Sequence, residues 1–212
     1  MTAVVLRWGG LAAALASAPR RAPGEEAAAG AAGTARTEAG LIERLRRREP
    51  GAWRVLFEQE MPAIYRYAYS RVPSAEDAED LASLVFEQAW KSAEHLQDRG
   101  LPPRAWLFGI ARHVVTEHRR RLFRAPPAVA LEAFDTPHAG LEGHAEQMAL
   151  AKAVAQLPRA DAEVVTLRFL HGLSLAETAE AMRVTVDAVK ARQGRALKKL
   201  RELLGEEFAQ GL

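Results

Sequence analysis

The sequence predicts an all-α fold of two small helical domains, and three observations carry that expectation. Apolar residues recur at three- and four-residue spacing through 41–68, 81–90, 106–115 and 189–200, and no segment alternates with the period of a strand. Hydroxyl residues stand three positions ahead of acidic ones at two helix starts, Ser74 before Asp77 and Ser174 before Glu177. Between the helical blocks, Pro126, Pro127, Pro137, Gly140 and Gly143 break a stretch with little periodicity, which reads as a flexible interdomain linker over 122–143.

The elements follow in order. Residues 1–40 are rich in Ala and Gly and lack a sustained amphipathic period, so they cannot bury enough apolar surface to offset their ordering entropy. They are expected to be a disordered tail. The stretch LAAALASA resembles a short signal-peptide core, but Arg7 precedes it closely and two glycines interrupt the apolar run that leads into it. A native start near Thr34 to Leu41 is the other reading of this segment. Residues 41–121 form the first domain. Its first two helices are separated near Pro50-Gly51, and Trp53, Leu56, Phe57, Met61, Ile64, Tyr65 and Ala68 mark the longer one. A turn at Pro73-Ser74 opens a third helix whose first turns carry Glu76, Asp77, Glu79 and Asp80, matching the positive end of its dipole. Its expected apolar stripe is Leu81, Leu84, Val85, Ala89 and Trp90. The fourth helix begins at Pro103 or Arg104, buries Trp106, Leu107, Ile110, Ala111, Val114 and Val115, and closes on Arg119, Arg120 and Arg121. The second domain, 144–206, holds helices near 145–156, 159–170, 175–182 and 186–205, and 207–212 is a short tail.

The last two of these helices read as a helix-turn-helix. Ser174 and Glu177 can form a capping box, a break follows at Arg183 and Val184, and Thr185 is the next N-cap. Arg183 stands where the turn favours Gly, because a positive φ is needed there. Gly194 lies inside the second helix, where it allows a close approach or is merely tolerated. Lys190, Arg192, Arg195, Lys198, Lys199 and Arg201 fall on the second helix away from its apolar side. Cations on a helix presented by a tight turn suit a phosphate backbone and the acceptor-rich edge of guanine. The plain alternative is a solvated basic face on a structural hairpin.

Composition narrows the function. The chain of 212 residues has a net charge of only +2, so affinity for a polyanion must come from local patches. It has no cysteine, which removes disulfides, thiolate metal sites and Cys nucleophiles. No run of eighteen apolar residues exists, so no membrane span is expected. His113 and His118 are five apart, and that spacing does not bring two imidazoles onto one metal as four does. No phosphate loop or nucleophile elbow is present. Neither a catalytic group nor a cofactor is expected, and the chain is not read as an enzyme.

The order DAEDLASLVFEQAW, PPRAWLFGIARHVVTEHRRR, a Pro-containing linker and the helix-turn-helix resembles the extracytoplasmic-function (ECF) group of sigma-70-type sigma factors over residues 41–206. The resemblance implies a bacterial, cytoplasmic transcription initiation factor that binds RNA polymerase core and recognises a two-part promoter. It implies a region 2 helical bundle and a region 4 helix-turn-helix. Carried onto matching positions, it assigns Asp77, Glu79, Asp80, Leu81, Phe86 and Glu87 to docking on core polymerase, at the β′ clamp helices, with the β subunit as a further partner. Of these, Leu81 is expected to be mostly core, as is Trp90, with the acids making the contact. It assigns Arg104, Trp106, Arg112, His113, Glu117, Arg119 and Arg120 to opening and holding the minus-10 strand, with core packing the more ordinary role for Trp106. It assigns Val186, Lys190, Arg192, Gln193, Arg195 and Lys199 to reading the minus-35 duplex. His113, Glu117, Gln193 and Gly194 depart from the residues usual in the family, which touches promoter preference. The resemblance also admits an anti-sigma factor as a partner. Two other classes compete with this reading. One is a plain helix-turn-helix regulator, in which the acidic helix has no role. The other is a polymerase-binding protein that has lost DNA reading.

Overall fold

A computed structural model describes residues 40–122 and 149–204, and every described element is helical. The expectations for the N-terminal tail, for nearly all of the linker and for the last residues lie outside the described residues.

Helix α1 spans 40–46 and turns back through Arg48, which has a φ of 56°. Helix α2, Pro50–Tyr69, starts with proline in its first turn, where the missing N–H costs nothing. It buries Trp53, Leu56, Met61, Ile64 and Tyr67, and the Trp53 indole N–H donates to the Leu45 carbonyl at 3.0 Å, tying α1 to α2. Helix α3, Ala75–Ser92, starts on Ser74, whose hydroxyl accepts from the Asp77 N–H. One 3₁₀ turn, Ala93–His95, follows it. Helix α4, Pro103–Leu122, packs on α2 and α3 through Leu107, Phe108, Ala111, Val114 and Val115.

The stripe of α3 differs from the expected one. Ala78, Leu81, Ala82, Val85, Phe86 and Ala89 are buried, whereas Leu84 and Trp90 are exposed at 38% and 41%. The buried set follows the 3.6-residue period around one line, and it leaves Leu84 and Trp90 on the flanks. Trp90 sits edge-on to Trp53 at 5.0 Å and keeps its outer face open.

The second group begins with α5, residues 149–155, followed by α6, Arg159–Val165. Where one helix is expected over 159–170, α6 widens into a π turn, Thr166–Leu170. The Thr166 hydroxyl donates to the Ala162 carbonyl, and the His171 N–H reaches the Thr166 carbonyl five residues back. Helix α7, Leu175–Met182, and helix α8, Val186–Leu204, complete the chain's described part.

Two independent cores would suit a pair of loosely tethered domains, but the packing is different. One small cluster (Ala153, Val154, Leu157, Ala162, Val165, Ala196, Leu200) belongs to the second group alone. The larger cluster runs without a break from α1–α4 into Val164, Leu167, Leu173, Ala179, Ala181, Met182 and Val189. Helix α7 lies directly on α4. Gly109 permits that approach, since a Cβ built there would stand 3.6 Å from the Ala181 carbonyl oxygen and 3.8 Å from its Cα. Gly194 has nothing within 4 Å of such a Cβ, so its role is tolerance, not close packing.

Candidate nucleic-acid and polymerase interface

The helix-turn-helix is built by local chemistry. The Ser174 hydroxyl accepts from the Glu177 N–H at 3.1 Å, and the Glu177 carboxylate accepts from the Ser174 N–H at 2.7 Å, a complete capping box. Arg183 adopts the left-handed conformation, φ 53° and ψ 49°, and its N–H closes the last turn of α7. Thr185 caps α8 through its hydroxyl, which accepts from the Ala188 N–H at 3.2 Å. Val189, Ala196 and Leu200 then anchor α8. This leaves Lys190, Arg195, Lys198, Lys199 and Arg201 exposed and Arg192 and Gln193 half-buried. Val186 packs against the core and offers only part of its surface.

Two side chains of this helix are held from behind. Arg195 donates through Nε at 3.2 Å and Nη2 at 3.0 Å to the two oxygens of Asp161, a buried carboxylate on α6. The outer Nη edge of Arg195, on a side chain 61% exposed, is left to face solvent. Arg168 donates Nε to the Gln193 amide oxygen at 3.2 Å and Nη1 to the Leu173 carbonyl. Lys190 and Lys199 make only exposed local pairs, with Asp187 at 3.4 Å and Glu202 at 3.1 Å, which are weak.

On α3 the acids divide. Glu79, Asp80 and Glu87 are exposed, whereas Asp77 is half-buried and occupied by Ser74. Leu81 and Phe86 are buried, Phe86 against the Phe57 ring at 4.9 Å. Leu81 thus lies in the core as expected and Phe86 joins it there, so each has little surface of its own to present on this face. Leu84 and Trp90 are the apolar groups beside the exposed acids, and Trp90 was expected in the core. Leu84 too was expected on the buried stripe, and it is exposed beside Trp90.

On α4 the expected strand-binding set is scattered. His113 and Arg120 are exposed, Trp106 is half-buried against the core, and Glu117 pairs with Arg120 at 3.2 Å and Arg121 at 3.5 Å. Arg119 is half-buried. Arg104 and Arg112 face the second group of helices instead of solvent. Arg112 donates Nε to Glu163 Oε1 at 3.0 Å and Nη1 to the Ala181 carbonyl at 2.8 Å. Arg104 donates Nη2 to the His171 carbonyl at 2.7 Å and lies 3.8 Å from Glu177 and 3.9 Å from Glu60.

Glu163 is the centre of this junction. It also accepts from the Tyr67 hydroxyl at 2.7 Å and from Arg71 Nη2 at 2.9 Å, while the Arg71 guanidinium lies over the Tyr67 ring at 3.7 Å. Burial alone would push the Glu163 carboxyl up. Arg71 and Arg112, with the hydrogen bonds from Tyr67 and Arg71, outweigh that and hold it well below the usual carboxylate range. His171 sits beside it, its ring 5.6 Å from Tyr67 and 5.2 Å from Phe108, with Nδ1 buried and without a hydrogen-bond partner. Burial pushes this imidazole down to about 3, aided by Arg71, Arg66 and Arg104 and opposed by Glu163. Burial also raises the Glu60 carboxyl, against Arg104 and with Glu177. One sequence signal pointed at Glu163, since it lies four positions before the buried Leu167, a carboxylate in an apolar stripe. Among the described residues no group of His, Asp and Glu is placed to hold a metal, and no helix is long and apolar enough to cross a membrane.

A helix-turn-helix with a basic second helix, joined to a bundle with an acidic exposed face, defines a DNA-binding initiation factor. Family models bear this out. Residues 56–124 match Sigma-70 region 2 and residues 147–200 match Sigma-70 region 4. The ECF RNA polymerase sigma factor BldN of Streptomyces coelicolor is 36% identical over 79% of this chain and 66% of its own length. The ECF RNA polymerase sigma factor SigD of Mycobacterium tuberculosis is 35% identical over 71% of this chain and 76% of its own. Among solved structures, CnrH in complex with the cytosolic domain of CnrY aligns with a TM-score of 0.60 at 26% identity, covering 79% of this chain and 96% of that one. The sigma factor RpoE in complex with the anti-sigma factor NepR, from Bartonella quintana, shares the fold, with a TM-score of 0.57 at 24% identity over 71% of this chain and 95% of that one. The chain belongs to the ECF group of the sigma-70 family. Its function is to direct RNA polymerase core to specific promoters and to promote transcription initiation.

Proposed function

We propose that three surfaces divide this work. The exposed Glu79, Asp80 and Glu87, flanked by Leu84 and Trp90, dock on core polymerase: carboxylates steer toward a basic partner and the two apolar side chains supply the desolvated contact. Helix α4 holds the opened minus-10 strand, with Arg104, Arg112, Arg119 and Arg120 on phosphates and Trp106 and His113 toward bases. Helix α8 reads the minus-35 duplex. Arg192 and Arg195 suit guanine, Gln193 suits adenine, and Lys190 and Lys199 suit phosphates. The observation that carries this reading is the Asp161–Arg195 pair, which holds a guanidinium on the exposed face of the helix after the turn with its outer edge open.

The chain acts without catalysis of its own, because bond making belongs to the polymerase, and it works in the bacterial cytoplasm where that enzyme is. Region 2 is assigned to 41–121 and region 4 to 144–206. A protein partner of the kind bound to CnrH is proposed for this chain as well, supported by a likeness that covers nearly all of CnrH.

The test is charge reversal of Glu79, Asp80 and Glu87 to Lys, with core binding measured by fluorescence anisotropy of the labelled chain. The reversed protein is expected to keep its helical content and to lose core binding by about tenfold or more. Unchanged binding would remove α3 from the interface and favour a helix-turn-helix regulator that works without polymerase.

A further inference from the structure

Among the described residues two non-glycine positions have a positive φ, and both are arginines, Arg48 at 56° and Arg183 at 53°. A residue with a Cβ is strained there and glycine is not, and such strain persists where the surroundings or a function hold it. For Arg48 the return is internal. Its guanidinium donates Nε to the Trp90 carbonyl at 3.3 Å and Nη2 to the Lys91 carbonyl at 3.5 Å, at the C-terminal end of α3, and Glu94 stands 4.0 Å away. The turn after α1 is thereby tied to α3.

Arg183 has the same backbone and no such partner. Its N–H donates to the Glu180 carbonyl at 3.0 Å and the Val184 N–H to the Ala179 carbonyl at 3.0 Å, the paired bonds of a Schellman turn. Val184 packs against the core. Those groups fix the turn, and glycine would serve it with less strain. The Arg183 side chain is exposed and makes no hydrogen bond or ion pair to any described residue.

Position says what this cation can meet. Arg183 stands two residues before the Thr185 cap, so at most about 7 Å of chain separates it from the start of α8. When the second helix of a helix-turn-helix enters the major groove, its first turns reach base edges and the first helix crosses the sugar-phosphate backbone. The turn between them then stands at the edge of the groove, over phosphate. Asp187 and Lys190, on the first turns of α8, pair with one another at 3.4 Å and leave the Arg183 charge uncompensated.

We propose that Arg183 is a phosphate contact of the minus-35 duplex, a cation kept in a strained turn so that its guanidinium clamps the backbone beside the groove that α8 reads. This assignment rests on the reading of α8 as the minus-35 surface. The contact is charge-assisted and carries no base preference. Arg183 is therefore a positioning residue, which fixes the register in which Arg192 and Arg195 meet the bases.

The test uses core polymerase reconstituted with the full chain, and a duplex fragment that the wild-type complex selects from a random-sequence library. Arg183→Gly relieves the turn while deleting the cation, so stability and affinity are expected to move in opposite directions, which a merely structural role would not produce. The unfolding temperature of the free variant is expected to rise. Its complex with core is expected to bind the fragment more weakly, with the slope of log affinity against log salt smaller by about 0.9, the share of one phosphate. Between about 50 and 200 mM salt the affinity of wild type should then fall about 3.5 times more than that of the variant. The library is expected to return the same preferred bases for both proteins. Arg183→Lys keeps the charge and is expected to keep the wild-type slope.

An unchanged salt slope in Arg183→Gly would overturn the proposal. So would an altered base preference, which would make Arg183 a base reader, or weaker binding of the variant to core polymerase alone, which would move its partner from DNA to protein. Arg195→Ala separates this failure from that of the underlying reading. If Arg195→Ala alters base preference while Arg183→Gly leaves the slope unchanged, only the clamp is wrong. If neither change is seen, α8 does not read the minus-35 duplex, and the clamp falls with it.

Discussion

His171 makes the stability of the domain junction depend on pH in a way that can be worked out in advance. Its imidazole is buried between Tyr67 and Phe108, and it faces Arg66, Arg71 and Arg104, with Glu163 opposing them. The folded protein therefore resists its protonation down to about 3, while the unfolded chain takes a proton near 6.5. A histidine depressed in this way contributes fully above pH 6.5, and its contribution is lost as pH falls from there toward 3. The slope approaches about 1.4 kcal/mol per pH unit, and the loss between pH 7 and pH 5 comes to about 2 kcal/mol. His171→Phe keeps an aromatic ring against Tyr67 and Phe108 and leaves the backbone carbonyl that Arg104 uses. It removes the titration. Urea unfolding at pH 7, 6 and 5 should show wild type losing about 2 kcal/mol more than His171→Phe across that range. Glu60, whose raised carboxyl acts in the opposite sense, is common to both proteins and cancels. Parallel losses in the two proteins would mean that His171 is not held neutral, and the packing argument for the junction would fail with it.

Three further perturbations are expected to act locally. Arg183→Gly should stabilise the fold by up to about 1 kcal/mol in thermal unfolding, because it relieves a left-handed residue with a Cβ. Ser174→Ala should cost about 1 kcal/mol, since it strips the capping box from an eight-residue helix, and Ser174→Asp should recover most of that. Asp161→Ala should flatten sequence preference at one base pair of the minus-35 element while leaving Lys199→Ala to weaken all sequences alike, both read by selection from a random duplex library.

What the sequence disclosed was mostly local. The capping pattern at Ser174 and Glu177, the Thr185 cap and the unusual Arg183 are properties of a few consecutive residues, and each appears where the residues place it. The helical periods of α2, α4 and α8 were legible for the same reason. The stripe of α3 was read two residues too wide, because Leu84 and Trp90 are apolar yet lie on the flanks, and periodicity alone does not say how broad a neighbour covers a helix. The π turn after α6 was invisible, since it depends on one extra residue in the hydrogen-bond ring. Least legible was the junction between the domains. Tyr67 and Arg71 meet Glu163 across more than ninety positions, and nothing in either segment names the other.

Run-off transcription measures promoter-directed initiation by this chain. Purified core polymerase would be given a fragmented library of the host genome with and without this chain, and the new transcript starts mapped. Initiation is expected at sites sharing two spaced motifs, and it is expected to be lost when Arg192 and Arg195 are replaced by Ala. Absence of any chain-dependent start, with core polymerase fully active on other sigma factors, would contradict it.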